Sequence, residues 1–325
     1  MSIAMILDEL FNHPDPILTY RALVDIAGRS PDSRESILAR QNIPASQRIQ
    51  SMLAGRAAGG QLPHHPYQKW LGANWVLYLL AEWGYPPGDA NLIPLREQEL
   101  DWLLSDAHKK NIRLIDGRTR RCASQEGNAL FSLLALGLAD ERCDELARRL
   151  VAWQWPDGGW NCDRRPAASH SSFHESLIPL RALSLHARLT GNAASRQSAQ
   201  RAAEMFLSRH LFRRLTNGQL IDRHFLELHY PFFWHYDVLF GLKVMAEGGW
   251  ITDPCCSEAL DWLESRRLPD GGLPADARWY TLTERDVSGR SAVDWGSVSK
   301  TKSNPFVSLI ALSILRAAGR DSAEK

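Results

Sequence analysis

The sequence predicts an all-α protein built from paired helices. Four segments repeat one order of events: LDWLLSDAHKK, LARRLVAWQWPDGGW, RAAEMFLSRHLF and ALDWLESRRLPDGGL. Each reads as an amphipathic helix with a bulky residue near its end. Those marks, Trp102, Trp153, Phe206 and Trp262, are spaced by 51, 53 and 56 residues. After each mark comes a polar loop, then a helix apolar nearly all round. A helix with one apolar stripe lies on a surface, whereas one apolar on every side is buried. No strand-like alternation long enough for a sheet interrupts the pattern. A repeat of about 50 residues made of a helix pair fits a closed α/α barrel or an open solenoid.

The buried helices follow in order along the chain. DPILTYRALVDIAG (15–28) is the first candidate and WLGANWVLYLLAEW (70–83) the second. NALFSLLALGL (128–138), SLIPLRALSL (176–185), YDVLFGLKVM (236–245) and NPFVSLIALSIL (304–315) complete the set. The repeat units run approximately over 1–30, 45–84, 95–140, 141–190, 193–247 and 253–319, within a single domain spanning 1–325. The turns Asp157-Gly158-Gly159 and Asp270-Gly271-Gly272 stop two of the outer helices, as left-handed caps do. Every outer helix then leads through a loop into the start of an inner one. All inner N-termini open at one mouth, where their dipoles and free N–H groups favour anions.

Composition excludes several classes. Hydrophobic residues make up 44% of 325, enough for a sizeable core. A net charge of +1, from 38 basic and 37 acidic residues, argues against a nucleic-acid partner bound by counterion release. The five cysteines, 122, 143, 162, 255 and 256, are odd in number, and adjacent Cys255 and Cys256 suit no disulfide with each other. A reducing, cytoplasmic location is expected. The N-terminal stretch lacks a signal-peptide pattern, and no apolar run is long enough to span a bilayer.

QWPDGGWNCD (154–163) and RLPDGGLPAD (267–276) resemble the QW-type repeats of squalene cyclases and protein prenyltransferase β-subunits. The resemblance covers most of residues 64–319. It implies an α/α toroid of about six helix pairs, twelve main helices in all, around a central cavity. The chain carries no Asp-x-Asp-Asp run, with which squalene-type cyclases protonate their substrate. It also lacks the Asp-Asp-x-x-Asp run with which class I terpene synthases hold magnesium. Prenyltransferases bind zinc through an Asp-x-Cys pair at the start of one inner helix and a His at the start of another. His174 matches that His. Glu126-Gly127-Asn128 stands in place of the pair, and Asn is a poor zinc ligand.

Three polar clusters are the candidate sites. In the first, Cys162, Asp163, His170, His174 and Glu175 fall within 14 residues. Cys, Asp and His are residue types zinc prefers, so Cys162, Asp163 and His174 are the candidate metal ligands. The alternative is that these residues shape a turn and cap the next helix. In the second, LHYPFFWHYD (228–237), His235, Tyr236 and Asp237 precede an inner helix, either as a site or as a packed aromatic corner. The third is basic: Arg118, Arg120, Arg121 and Arg164 could grip an oxyanion, or belong to solvated loops. His174, Glu175, His235, Tyr236, Asp237 and Glu126 are the acid–base candidates. Asn128, Asn304, Trp234 and Phe173 join the arginines as ligand-binding candidates.

The resemblance implies a transferase or isomerase that holds an apolar ligand, of isoprenoid diphosphate type, in the central cavity. Zinc is the one cofactor these residues suggest, and no nucleotide cofactor is expected. Two rivals stand beside this reading. Lyases acting on uronate sugars also use α-toroids, with Asn, His, Tyr and Arg as working groups. A repeat scaffold could instead bind a peptide or lipid without turnover. A dry aromatic cavity favours the first reading, a polar groove the second and a filled barrel the third. The oligomeric state stays open.

Overall fold

The computed structural model describes residues 3–285 and 287–320. Among them are fourteen α-helices and one two-stranded hairpin. The chain opens with α1 (Ala4–Phe11), α2 (Pro16–Arg21, continued by a π turn over Ala22–Ile26), α3 (Arg34–Gln41) and α4 (Gln47–Leu53). Then come α5 (Ala73–Glu82), α6 (Ile93–Leu104), α7 (Asp106–Lys109) and the hairpin β1 (Arg113–Ile115) with β2 (Arg118–Arg120). The rest is α8 (Ala123–Ala135), α9 (Glu141–Trp153), α10 (Phe173–Thr190), α11 (Ala193–Leu207), α12 (Val238–Gly248), α13 (Ser257–Ser265) and α14 (Pro305–Ala317). No helix among the described residues is long and apolar enough to cross a membrane.

The helices form an α/α toroid. Consecutive inner helices pack side by side, α5 on α8, α8 on α10, α10 on α12 and α12 on α14, and α14 meets α2 with its π turn. The Tyr20 ring against Gly84 links α2 back to the end of α5. Outer helices lie over this ring: α9 and α11 against α10, α6 against α5 and α8, α13 against α12 and α14. The division follows the side chains. Nearly every residue of α5, α12 and α14 is buried, whereas α9 and α13 bury one face. The bulky marks fall at or near outer-helix ends: Trp102 in α6, Trp153 in α9, Phe206 in α11 and Trp262 in α13. The short hairpin leaves the all-α reading intact. Its register pairs Arg113 with Arg120 and Ile115 with Arg118 across the turn at Asp116-Gly117, three residues a side, too short for a visible alternation.

The Pro-Asp-Gly-Gly turns repeat a clamp. Asp157 accepts hydrogen bonds from the Ser171 amide (2.8 Å) and hydroxyl (2.5 Å), and Asp270 accepts from the Ser303 hydroxyl (2.9 Å). Ser176, in the first turns of α10, accepts from the Trp160 amide at 2.9 Å, and Ser308 of α14 accepts from the Leu273 amide at 2.8 Å. Each turn is therefore pinned to the inner helix that follows it. Gly158, at φ +100°, lies so close to the Arg201 carbonyl that a side chain would collide with it.

Along the toroid axis, aromatics pack the half nearer the inner N-termini, and charged side chains wall a space of about 300 Å3 at the opposite end. Arg181 of α10 lies 3.7 Å over the Phe131 ring and bridges Glu82 of α5 (2.7 Å) and Glu247 of α12 (2.6 Å). Lys243 joins the same two carboxylates. Nearer the inner N-termini, Trp70 stacks on Phe233 with centroids 3.9 Å apart, and Trp75 meets both edge-on. Trp83 donates to the Tyr230 hydroxyl at 2.7 Å, beside Trp295.

Candidate functional site

The loops before α5, α8, α10 and α12 converge at one mouth and bring polar groups into a continuous arc. The first part lies before α5 and α8. Residues 64–68, His-His-Pro-Tyr-Gln, lead into α5, and Arg121 and Cys122 lead into α8. Tyr67 stacks on Trp102 with centroids 5.6 Å apart, and His65 meets the same indole edge-on at 5.2 Å. The Tyr67 phenol faces the side chains of Gln125 and Ser124, and burial pushes its pKa well up, so it is protonated at neutral pH. His65 is held below its ordinary pKa by burial and then by His108, and its Nδ1 accepts from the Tyr67 amide at 3.1 Å.

His108, on the short α7, is fixed from two sides. Its Nε2 lies 2.8 Å from the buried Glu126 carboxylate, and one Arg121 nitrogen lies 2.6 Å from Nε2 and 2.9 Å from Nδ1. The Glu126 carboxylate beside Nε2 favours the tautomer with the ring proton on that nitrogen, which leaves the Nδ1 lone pair to accept. Arg121 also donates to Gln125 at 2.5 Å. Beneath them Asn74 donates to Glu99 at 2.7 Å. Burial raises Glu99 to about 8, and the neighbouring Glu126 adds to the shift. His65, Tyr67, Gln68, Trp102, His108, Arg121 and Gln125 line an open cleft of about 470 Å3.

The arc continues through α8 and α10. These two helices approach closely at Gly127, where a Cβ would stand 3.0 Å from Ile178 Cγ2. Glu175 therefore reaches across and accepts from the Ser124 amide (3.2 Å) and hydroxyl (2.9 Å). Cys162 Sγ lies 3.6 Å from its other oxygen. Burial raises Glu175 above the usual carboxylate range, against the Ser124 bonds.

The last part lies before α12. Asp237 is fully buried. It caps α12 by accepting from the Phe240 amide at 2.8 Å and lies 2.9 Å from His229 Nδ1. Burial lowers the His229 pKa, but the Asp237 charge and hydrogen bond, with the Glu227 and Phe232 backbone, together leave it raised. His235 lies between Trp234 and Trp279, with centroids 4.3 and 4.4 Å away. Burial, with His229, His174 and Lys69 nearby, holds it down to about 2, so it is neutral. His174 Nδ1 accepts from the Tyr236 amide at 2.8 Å, and burial lowers its pKa too.

Several expected site residues have structural partners. Tyr236 is buried against Phe173, Phe206 and Phe225, and its hydroxyl donates to the Leu211 carbonyl at 2.6 Å. Phe173 belongs to the same aromatic core. Asn304 caps α14 through the Phe306 amide (3.0 Å) and donates to the Trp295 carbonyl (2.9 Å). Asn128, fully buried, donates to Asn74 at 3.4 Å. Arg120 is buried over Trp155 and ties down the Asp163 and Ala168 carbonyls at 3.1 and 2.8 Å, and Arg118 lies over the same indole. Trp234 is half-buried beside His174, and Arg164 is exposed on its loop. The expected ligand trio of Cys162, Asp163 and His174 is not brought together. Asp163 turns to Arg165 instead, which lowers it to about 2. The cluster that does assemble is Cys122, Cys162 and Glu175.

Tyr67, His65, His108, Gln125, Ser124 and Cys122 escape the sequence reading. Their signal was positional: each stands in or beside a loop feeding an inner helix, as His174 and Glu126 do.

No protein-family model matches this chain, and neither does any curated protein. Solved structures do. A polysaccharide lyase superposes with a TM-score of 0.50 at 12% identity, covering 99% of each chain. A protein from Actinoplanes covers 98% of each chain at 16% identity and a TM-score of 0.45. A type II terpene cyclase from Scytonema, solved with geranylgeranyl dihydroxybenzoate, covers 84% of this chain and 96% of its own at 16% identity and a TM-score of 0.27. The likeness to the polysaccharide lyase is one of fold.

Proposed function

We propose that the mouth cleft is the active site of a lyase acting on an anionic, uronate-type carbohydrate by β-elimination. The observation that carries this reading is where the room lies. The axis holds stacked aromatics toward the inner N-termini, and the space of about 300 Å3 at its other end is walled by Arg181, Glu82 and Glu247, charges that do not suit an isoprenoid chain. The open volume at the mouth is instead lined by Tyr67, Trp102, His108, Arg121 and Gln125. A ring with one apolar face and a carboxylate suits such walls. The polysaccharide lyase of similar fold agrees with this reading and does not carry it.

Each group has one role. Arg121, with Gln125, takes the substrate carboxylate, which acidifies the adjacent C–H. In doing so Arg121 leaves His108 Nδ1, and that nitrogen becomes the base that removes the proton. Glu126, at Nε2, stabilises the imidazolium that forms. The electron pair becomes the new C=C bond as the glycosidic C–O bond breaks. The leaving oxygen takes the proton of Tyr67, whose raised pKa keeps it available.

The test is incubation with a panel of uronate-containing polysaccharides, following the ultraviolet band of the unsaturated product. Turnover is expected on at least one. Tyr67→Phe and His108→Ala should each lower kcat by about 100-fold or more, the usual worth of an acid or base. Arg121→Ala should act mainly on KM. Cleavage without a new double bond, or failure across the panel alongside tight binding of a prenyl diphosphate, would reject the reading.

A further inference from the structure

We propose that Cys122, Cys162 and Glu175 form a zinc site with three protein ligands. Their ligand atoms all lie within 4.8 Å of one another. Zinc bonds of about 2.0–2.3 Å in tetrahedral geometry put ligand atoms about 3.5–3.8 Å apart. The Cys162 Sγ to Glu175 Oε1 separation of 3.6 Å already meets that spacing. Two sulfurs and one carboxylate oxygen select a borderline-soft ion over magnesium or calcium.

The frame around the three atoms is fixed from outside. Glu175 has its second oxygen occupied by the Ser124 amide and hydroxyl, so Oε1 is the oxygen presented to the sulfurs. Such support normally orients a metal ligand. Cys162 is held on both sides. Trp160 is clamped to Ser176 at 2.9 Å, and the Asp163 carbonyl is tied to Arg120 at 3.1 Å. Cys122 immediately precedes α8, one turn from Glu126. The three ligands thus come from two adjacent inner-helix starts and the loop between outer α9 and inner α10. Three protein ligands leave a fourth position for water, as in zinc sites that act rather than merely brace.

The site differs from the trio expected from sequence. Asp163 is engaged by Arg165, and the His174 Nδ1 by the Tyr236 amide. It also stands apart from the lyase reading, because its test reads metal rather than turnover. Protein from cells grown with zinc, purified without chelator, should contain about one zinc per chain, and chelation should lower its melting temperature. Cys122→Ser and Cys162→Ser should each lose most of that zinc, while Asp163→Asn and His174→Ala keep it. Since a misfolded serine variant would also lose zinc, wild-type apoprotein is titrated with cobalt(II). The expected spectrum has thiolate-to-cobalt charge-transfer bands and tetrahedral d–d bands at one equivalent. Three results would overturn the site: folded protein with neither zinc nor a cobalt band; a native mass lower by two hydrogens with Cys122 linked to Cys162; or zinc kept by Cys162→Ser and lost by His174→Ala.

Discussion

Glu99 shows how one residue can set the pH response. It is fully buried and raised to about 8, and Asn74 is its hydrogen-bond donor. Unfolded, it would titrate near the ordinary Glu value of about 4.3. Between those two pH values the folded state keeps a proton the unfolded state has lost. Stability therefore falls as pH rises through that window and levels off above it, by an amount of the order of a few kcal/mol. Glu99→Gln keeps a group that can accept from Asn74 and removes the titration. Chemical unfolding of the variant should show a flatter profile from pH 5 to 8, with its largest gain over wild type at the alkaline end. An unchanged slope would show that Glu99 ionises freely in the fold.

At the scale of elements, the glycine turns and the serines beneath them act together. Ser176 satisfies the buried Trp160 amide and itself donates to the Trp160 carbonyl at 3.2 Å. Ser176→Ala leaves that amide without its partner and should cost about 1–3 kcal/mol. Gly158→Ala adds strain at φ +100° and a collision with the Arg201 backbone, so its unfolding midpoint should fall at least as far. Both losses would be read by urea denaturation. These turns also show what the sequence made legible. The inner helices were readable because they are apolar on every side, and the Asp-Gly-Gly turns because only glycine suits them. The ends of inner helices were readable as polar positions, but the partner of each polar group was not. The Tyr236 hydroxyl meets the Leu211 carbonyl, a neighbour set by packing between α11 and α12 rather than by local pattern. Cys122 and Glu175 meet because Gly127 lets two helices close up, which neither local stretch reveals alone.

For the whole molecule, Arg181 and its carboxylates join three inner helices across the axis. Arg181→Met would leave the buried Glu82 with only Lys243 in contact to balance it. The expected loss is about 3–5 kcal/mol, as for other broken buried ion pairs. Replacing Arg181, Glu82 and Lys243 together by apolar residues of similar volume should recover most of it, because Glu247 can turn to water. A single-variant loss below about 1 kcal/mol would mean that water reaches the network and screens it.

The contact of α14 with α1 and α2 closes the ring between its first and last helices. Synthesis runs from one to the other, so during translation the ring stays open until α14 leaves the ribosome. Until then the flanks of α2 and α12 that α14 will cover face solvent, presenting apolar surface to any chaperone or neighbouring nascent chain. The toroid can therefore close only once α14 has emerged, and a ribosome stalled before residue 305 would hold a chain with an unsealed seam.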